Sequence, residues 1–387
     1  MTNYISDVKH LNNETSFSLN NINNSLANAL RRIVISEFKT VGFRYHESSS
    51  DIKILKNTTK YHNEYIGHRI SMIPLHGTEP STFDIDKYKF VINKKNTSEG
   101  ILAVTSNDFE VYEKDEQGNW KLDSEKKKVF FKPNKISNDY ILITLLKENC
   151  LENGQEIHIE CKPSISNGLE NIHYSPVCKC VLFNRISDNI YQQNLQKLLD
   201  GKNPEEVEKI TKNFMYLDGE RCFETDDDGE PFEFTFSMEN IETLSNYDIF
   251  LGSLKILTEK IQSFNSNIQE DNLQIDFSKL TEFRAIDIII PDETHTLGNL
   301  MQSYLYKYFM LSKQKLSFVG YDKNHPLDNH IIMRISTSSE YEELSEYINE
   351  IKEMVEETTN NLIDILKVIE KEWRLKYKTK KISLKKN

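Results

Sequence analysis

Few residues of this 387-residue chain stand at spacings that support chemistry. Cys178-Lys179-Cys180 has one intervening residue, where a zinc knuckle uses two to four. Cys150, Cys161 and Cys222 are scattered, and buried thiols are the plainer reading of all five. Glu224 to Gly229 has the outline of a calcium loop, but the twelfth position from Glu224 is Thr235, where a bidentate Glu is required. The ten histidines form no HExxH-like helical pair. There is no Gly-rich phosphate loop and no defensible Ser/His/Asp arrangement. We therefore expect no catalytic residue, metal or cofactor. What remains is cationic. Arg31-Arg32 offers two planar, bidentate donors for carboxylates on a partner, or else a solvated helix face with a local salt bridge. After Trp373 come Arg374, Lys376, Lys378, Lys380, Lys381, Lys385 and Lys386 with no acidic residue, which fits a solubilising tail or a contact with nucleic acid or an acidic partner.

Composition narrows the classes further. A hydrophobic fraction of 38% over this length provides core for two or three domains. The net charge of -12 argues against a whole-protein electrostatic grip on nucleic acid. No apolar run of 18 or more residues predicts a membrane span, and Met1 to Leu19 lacks the continuous apolar stretch of a secretory signal. Five cysteines do not make a disulfide scaffold and fit a reducing compartment, where the sequons at Asn57 and Asn96 would go unused.

The elements that must position these residues contain a repeat. Ser25-Leu26-Ala27-Asn28 and Thr296-Leu297-Gly298-Asn299 share the order small hydroxyl, Leu, small residue, Asn, and each opens an amphipathic helix. In the first helix Leu26, Ala29, Leu30, Ile33 and Val34 form one apolar stripe, capped by Asn23 or Asn24. In the second, Leu297, Leu300, Met301, Tyr304, Leu305 and Tyr308 share a face. Strands are predicted at 15–21, Val41–Tyr45, 283–291, Leu316–Tyr321 and Ile331–Ser336. A short helical turn at 66–73 ends at Pro74. Residues 77–149 alternate as short strands with a hairpin turn at Asp115–Gly118. The stretch 188–215 reads as helix, and Thr225–Gly229 as a turn. Phe250, Leu254, Leu257, Ile261 and Phe264 follow a coiled-coil spacing, before a linker over Asn265–Asn272. A final long helix carries Leu344, Ile348, Ile351, Val355, Leu362, Leu366, Ile369 and Trp373.

These residues resemble a known family. Asn28-Ala29-Leu30-Arg31-Arg32-Ile33, Glu64-Tyr65-Ile66-Gly67-His68-Arg69 with Ile73-Pro74-Leu75, and His173-Tyr174-Ser175-Pro176-Val177 resemble the third-largest subunit of RNA polymerase II and its archaeal counterpart. His295-Thr296-Leu297-Gly298-Asn299-Leu300, Gly320-Tyr321, His325-Pro326 and the helix ending in Trp373 resemble the eleventh subunit and its own archaeal counterpart. Both are relatives of the bacterial alpha subunit. The resemblance covers most of the chain outside 77–149 and 188–225. A fusion of the two looks like what some large nucleo-cytoplasmic DNA viruses carry.

The resemblance implies an α+β fold of two alpha-subunit-like dimerisation units pairing as an intramolecular pseudo-twofold dimer, with a β-rich inserted domain in the first. The expected bounds are 1–76 with 150–268, the insert 77–149, the second unit 269–373, and a basic tail 374–387. It implies a non-catalytic assembly platform of a DNA-directed RNA polymerase. The implied partners are the largest and second-largest subunits and small zinc-bearing subunits, with DNA reached only through the complex and no membrane. Location would be the cytoplasmic viral factory and virion if viral, otherwise the nucleus. Arg31, Arg32, His68 and Arg69 are the expected docking residues for the second-largest subunit. Leu26, Asn28, Leu30, Ile33, Leu254, Ile261, Leu297, Asn299, Leu300, Met301, Leu305, Leu362 and Trp373 are the expected pairing residues. Asn28 and Asn299 would fix register or simply face solvent. A free-standing interaction scaffold and an enzyme using the acidic loops are the competing classes.

Overall fold

The computed structural model describes residues 3–46, 49–148, 154–279, 283–339 and 343–384, without the side chains of residues 205 and 378–384. The chain begins with β1 (Ile5–Leu11), β2 (Glu14–Asn20), α1 (Asn24–Ser36), β3 (Lys39–Gly42), β4 (Ile52–Asn57) and α2 (Asn63–Ser71). Then come β5 (Tyr88–Lys95), β6 (Leu102–Thr105), β7 (Glu110–Lys114), β8 (Trp120–Leu122), α3 (Ser124–Phe130) and β9 (Leu142–Leu146). The middle holds β10 (Glu156–Cys161), β11 (Ser164–Asn167), β12 (Val177–Asn184), α4 (Asp188–Leu199), α5 (Pro204–Leu217), β13 (Glu233–Asn240) and α6 (Asn246–Gln269). The last third holds β14 (Gln274–Phe277), β15 (Ile286–Pro291), α7 (His295–Leu305), β16 (Leu316–Asp322), β17 (His330–Thr337) and α8 (Leu344–Leu384).

Two compact units result. One contains 1–33, 179–238 and 250–387; the other contains 34–178 and 239–249. The first has two four-stranded sheets, ordered β1-β2-β13-β12 and β14-β15-β17-β16. The orders match step for step. In each, the strand that enters the motif helix lies between its hairpin partner and the last strand of the set. A long helix then follows, α6 in one case and α8 in the other. The sequence repeat is thus a repeat of topology.

Apolar periodicity explains the helices of this unit. Leu26, Leu30 and Ile33 of α1 are buried, as are Leu254, Leu257 and Ile261 of α6 and Leu297, Leu300, Met301 and Leu305 of α7. On α8 the buried seam runs through Tyr347, Ile351, Met354, Val355, Leu362, Leu366, Ile369 and Trp373. Leu344 and Ile348, expected on it, lie outside the buried seam, because Tyr347 takes the inward position. Its hydroxyl accepts from the Thr337 N–H at 2.8 Å. Near its other end α8 closes on the N-terminal hairpin. The Trp373 ring lies 4.9 Å from Phe17 of β2 and 4.7 Å from Phe250 of α6. The Glu372 carboxylate accepts from the N–H groups of Tyr4 and Ile5 at 3.1 and 2.8 Å.

Two sequence boundaries fall elsewhere. The linker expected over Asn265–Asn272 is helical as far as Gln269, because Phe264 and Ile268 are buried and extend the seam of α6. The helix expected to close at Trp373 continues to Leu384, since nothing after Trp373 is a breaker or a C-terminal glycine. Loss of apolar residues ends the buried seam, not the helix.

The other unit is built on a cluster of buried aromatic and aliphatic side chains. Phe43, Ile66, Ile70 and Leu75 share it with Phe90, Phe109, Phe131, Leu146, Ile157 and Ile159. Phe109 and Phe131 stack at 4.8 Å, and Phe43 meets Phe90 edge-on at 5.1 Å. Its main sheet runs β4-β10-β5-β7-β8, with β11-β3 and β6-β9 as separate pairs. The stretch 77–149 expected as an insert therefore shares its core and its sheet with residues on both sides.

Trp373→Ala removes the ring held between Phe17 and Phe250. A loss of about 3–5 kcal/mol is expected from the cavity, read as a lower denaturant midpoint in equilibrium unfolding.

Candidate functional site

The two motif helices meet within the first unit. Asn23 caps α1 by accepting from the Ser25 N–H at 2.8 Å. Thr294 accepts from the Thr296 N–H at the start of α7. Arg32 reaches from α1 to α7, its Nε donating to Thr296 Oγ1 at 2.9 Å. Arg31 turns back along its own helix and donates twice to Asn28 Oδ1, at 3.0 and 2.8 Å. So Asn28 holds an arginine one turn away, and the adjacent arginines take different directions. Arg32, Asn28 and Asn299 are half-buried. The remaining expected pairing residues, from Leu26 to Trp373, are at most 1% exposed and all belong to this unit.

The small motif residues have separate reasons. A Cβ on Gly298 would come within 2.5 Å of the Tyr321 ring and 3.0 Å of Ile331, so a bare α-carbon lets β16 and β17 seat against α7. Ala27, its counterpart, is fully buried. At Gly298 the closest neighbour is therefore an aromatic side chain and not another backbone.

The helices are also tied by contacts that spacing does not reveal. Lys260 of α6 pairs with Glu293, just before α7, at 3.0 Å with both side chains mostly buried. Lys352 of α8 donates to the Gln269 carbonyl, and Gln269 Nε2 donates to the Lys352 carbonyl. The acidic turn is a tight one. Asp226 Oδ1 accepts from the N–H groups of Asp228 and Glu230, and Gly229 adopts φ +83°. Its other oxygen binds Lys307 at 3.2 Å, in a π-helical turn over Tyr306–Ser312 that follows α7. The acidic turn is thus paired with a lysine from a distant part of the chain.

The other expected docking residues, His68 and Arg69, belong to the second unit and are described there. His68 is exposed at the end of α2. Arg69 donates to the Tyr65 hydroxyl at 3.0 Å, stands over the Tyr65 ring at 5.6 Å, and donates to the Leu142 carbonyl. Tyr65 stacks in turn on Tyr61 at 5.1 Å. Gly67 is bare because a Cβ there would strike the Tyr45 ring. Near the His173-Tyr174 motif in sequence, Glu170 forms a two-point pair with Arg44 at 2.6 and 3.1 Å, which pulls the Glu170 carboxyl below its usual range. Burial pushes His173 down to about 4, opposed by the nearby Glu170 carboxylate and aided by the charges of His68 and Arg44. Burial likewise lowers His76.

Cys161, Cys180 and Cys222 are buried and Cys178 is exposed, while Cys150 lies outside the described residues. Burial pushes the Cys161 thiol up and that of Cys180 up to about 12. Among the described residues no three His, Cys, Asp or Glu side chains are gathered to hold a metal. No helix among them is long and apolar enough to cross a membrane.

With paired motif helices and a duplicated sheet order in view, comparison with known proteins defines the class. The chain belongs to the RNA polymerase Rpb3/Rpb11 dimerisation domain family, which matches over residues 16–261 and again, in a second form, over 285–372. A "Conjugation stage-specific protein" of Tetrahymena thermophila is 28% identical over 205 residues, 47% of this chain and 59% of that protein. The DNA-directed RNA polymerases I and III subunit rpac1 of Dictyostelium discoideum is 27% identical over 294 residues, covering 67% of this chain and 79% of that one. The DNA-directed RNA polymerase subunit Rpo11 of Sulfurisphaera tokodaii is 36% identical over 86 residues, 22% of this chain and 86% of the relative.

Two predictions come from this geometry. Arg32→Ala removes a charge-assisted bond to Thr296, and we expect about 1.5–3 kcal/mol of lost stability, while Arg31→Ala, whose partner is one turn away, costs under about 1 kcal/mol; chemical denaturation separates them. Second, His76 and His173 are held neutral by burial, so the unfolded chain takes up protons first as pH falls below about 6.5. Their contribution to stability is fully present above about pH 6.5 and declines below it, for His173 as pH falls toward about 4. His173→Gln should flatten part of that decline in unfolding midpoints measured from about pH 7 to about pH 5.

Proposed function

We propose that the chain is a non-catalytic assembly subunit of a multisubunit DNA-directed RNA polymerase, carrying both halves of an alpha-like dimer in one polypeptide. The observation that carries this reading is the duplicated order β1-β2-β13-β12 and β14-β15-β17-β16 with motif helices joined by Arg32 and Thr296. On this reading the halves are related by a pseudo-twofold axis. A half like the third-largest subunit pairs with a half like the eleventh, and the family matches over 16–261 and 285–372 support that division. An assembly role needs a permanent, dry seam, which in obligate pairs buries about 2,000–5,000 Å² and resembles a domain core. The full burial of Leu26, Leu30, Leu297, Leu300 and Trp373 supports that reading. Fusion fixes a one-to-one ratio and makes pairing intramolecular, at effective concentrations of roughly millimolar or above.

The two large catalytic subunits are the proposed partners, together with small zinc-bearing subunits. Arg31, His68 and Arg69 are proposed as docking residues for the second-largest subunit. Arg32 is assigned first to the internal seam, because its Nε is committed to Thr296. The exposed imidazole of His68 and the Tyr61–Tyr65–Arg69 stack supply the aromatic and guanidinium surface that hot spots favour.

The test is affinity purification of the tagged chain from its native cells, followed by mass spectrometry. Large polymerase subunits should be recovered with the parent chain. Arg31→Ala with His68→Ala should keep the parent circular dichroism and recover several-fold less of the second-largest subunit. Equal recovery would remove these residues from the docking surface, and absence of every polymerase subunit would remove the assembly role.

A further inference from the structure

One of the differences between the two repeats leaves a polar group without a partner. Ser25 of α1 and Thr296 of α7 are equivalent, and so are Arg32 and Ser303. Thr296 receives Arg32 Nε at 2.9 Å. Ser303 is too short to return that bond to Ser25. Ser25 is only 5% exposed, and its Oγ is buried with no hydrogen-bond partner. A buried hydroxyl in that state costs free energy until something pairs with it.

Beside it lies an open cleft of about 370 Å³ within the same unit. Ser25, Ser303, Asn299 and Gln302 line its wall, and Asp228 and Glu230 line it from the acidic turn. Lys307 also borders the cleft, but it is paired with Asp226. Asp228 and Glu230 are exposed. The cleft is therefore walled by hydroxyl and amide side chains over the buried Ser25 hydroxyl, with two carboxylates beside them and a cation whose charge is already countered. That set matches a guanidinium, a planar group with five donors and no acceptor.

We infer that this cleft receives an arginine side chain presented by a partner polypeptide, completing at Ser25 the bond that Arg32 makes at Thr296. The site deepens the assembly role proposed above and rests on the pairing of the two repeats. The second repeat lacks an arginine of its own here, so the one that fills the cleft comes from outside. The acidic turn recruits it and Ser25 fixes its depth.

The probe is the capped pentapeptide acetyl-Gly-Gly-Arg-Gly-Gly-amide, titrated into the full chain at low salt and followed by nuclear magnetic resonance. Binding should be weak, roughly millimolar, and at least about tenfold weaker for the citrulline analogue, which keeps the shape and loses the charge. Asp228→Asn with Glu230→Gln should weaken binding by a similar factor, whereas Glu353→Gln with Glu356→Gln on α8 should leave it unchanged. That contrast separates a site from general attraction to an acidic protein. Ser303→Arg supplies the missing side chain in cis and should abolish peptide binding while raising the thermal midpoint. Ser25→Ala, which adds no bulk, should weaken binding several-fold and keeps the test open if Ser303→Arg does not fold. Equal binding of arginine and citrulline peptides, or undiminished binding by folded Ser303→Arg protein, overturns the site. Peptide binding by a chain that captures no polymerase subunit overturns the assembly role alone; capture without peptide binding overturns the arginine site alone.

Discussion

The packing of Trp373 against Phe17 and Phe250 is the constraint on which the larger unit depends. It joins the last helix to the first hairpin and to α6 at a single ring with no exposed surface. Glu372 beside it accepts two N–H groups from the start of β1, and Lys376 adds bonds to the Ile5 carbonyl and to Glu372. An aromatic wedge flanked by a charge-assisted clamp fixes both position and orientation. Dispersion and apolar burial provide most of the stabilisation, and the polar contacts set the register of β1 along α8. With that edge closed, the two motif helices are left facing each other across Arg32 and Thr296.

Much of this is legible in the sequence because helical periodicity survives distance. The stripes on α1 and α6 are buried as their spacing requires, and so is that on α7 except Tyr308, which falls in the π-helical turn and is half-buried; the equivalence of Ser25-Leu26-Ala27-Asn28 with Thr296-Leu297-Gly298-Asn299 points to a duplicated topology. Boundaries are less legible. Asn and Ser between 265 and 269 favour a turn locally, yet Ile268 packs inward and tertiary burial overrides propensity. Alternation marks strands within 77–149 but cannot show that Phe90 and Phe109 share a core with Phe43 and Ile66. The π-helical turn at Tyr306–Ser312 has no simple sequence signal.

The candidate site is legible only in its residue types. Arg31 and Arg32 stand out as donors, but spacing cannot say that one folds back to Asn28 while the other crosses to Thr296. Arg69 is a docking donor by type, yet its guanidinium is held against Tyr65 and the Leu142 carbonyl. Lys307 with Asp226, and Lys260 with Glu293, escape sequence reasoning because ion pairs between segments far apart in the chain carry no periodic mark. The substitution that matters most, Ser303 at the place of Arg32, is visible once the two motifs are set beside each other. Its physical meaning needs the unpaired Ser25 hydroxyl.

The clamp between Tyr4 and Glu372 also has a consequence in time. The two residues are 368 positions apart, so β1 emerges from the ribosome long before its cover exists. At about 5–20 residues per second, that interval is roughly 20–70 s. Until β13 and α6 follow, the hairpin presents the open edge of β2 and a bare Phe17, the kind of surface that pairs with other chains, and after that Phe17 still lacks its Trp373 cover. Two separately made subunits could each finish folding early and then collide. A chain that carries both repeats exchanges that encounter for a wait, and its early folding depends on whatever shields the first hairpin until the last helix arrives.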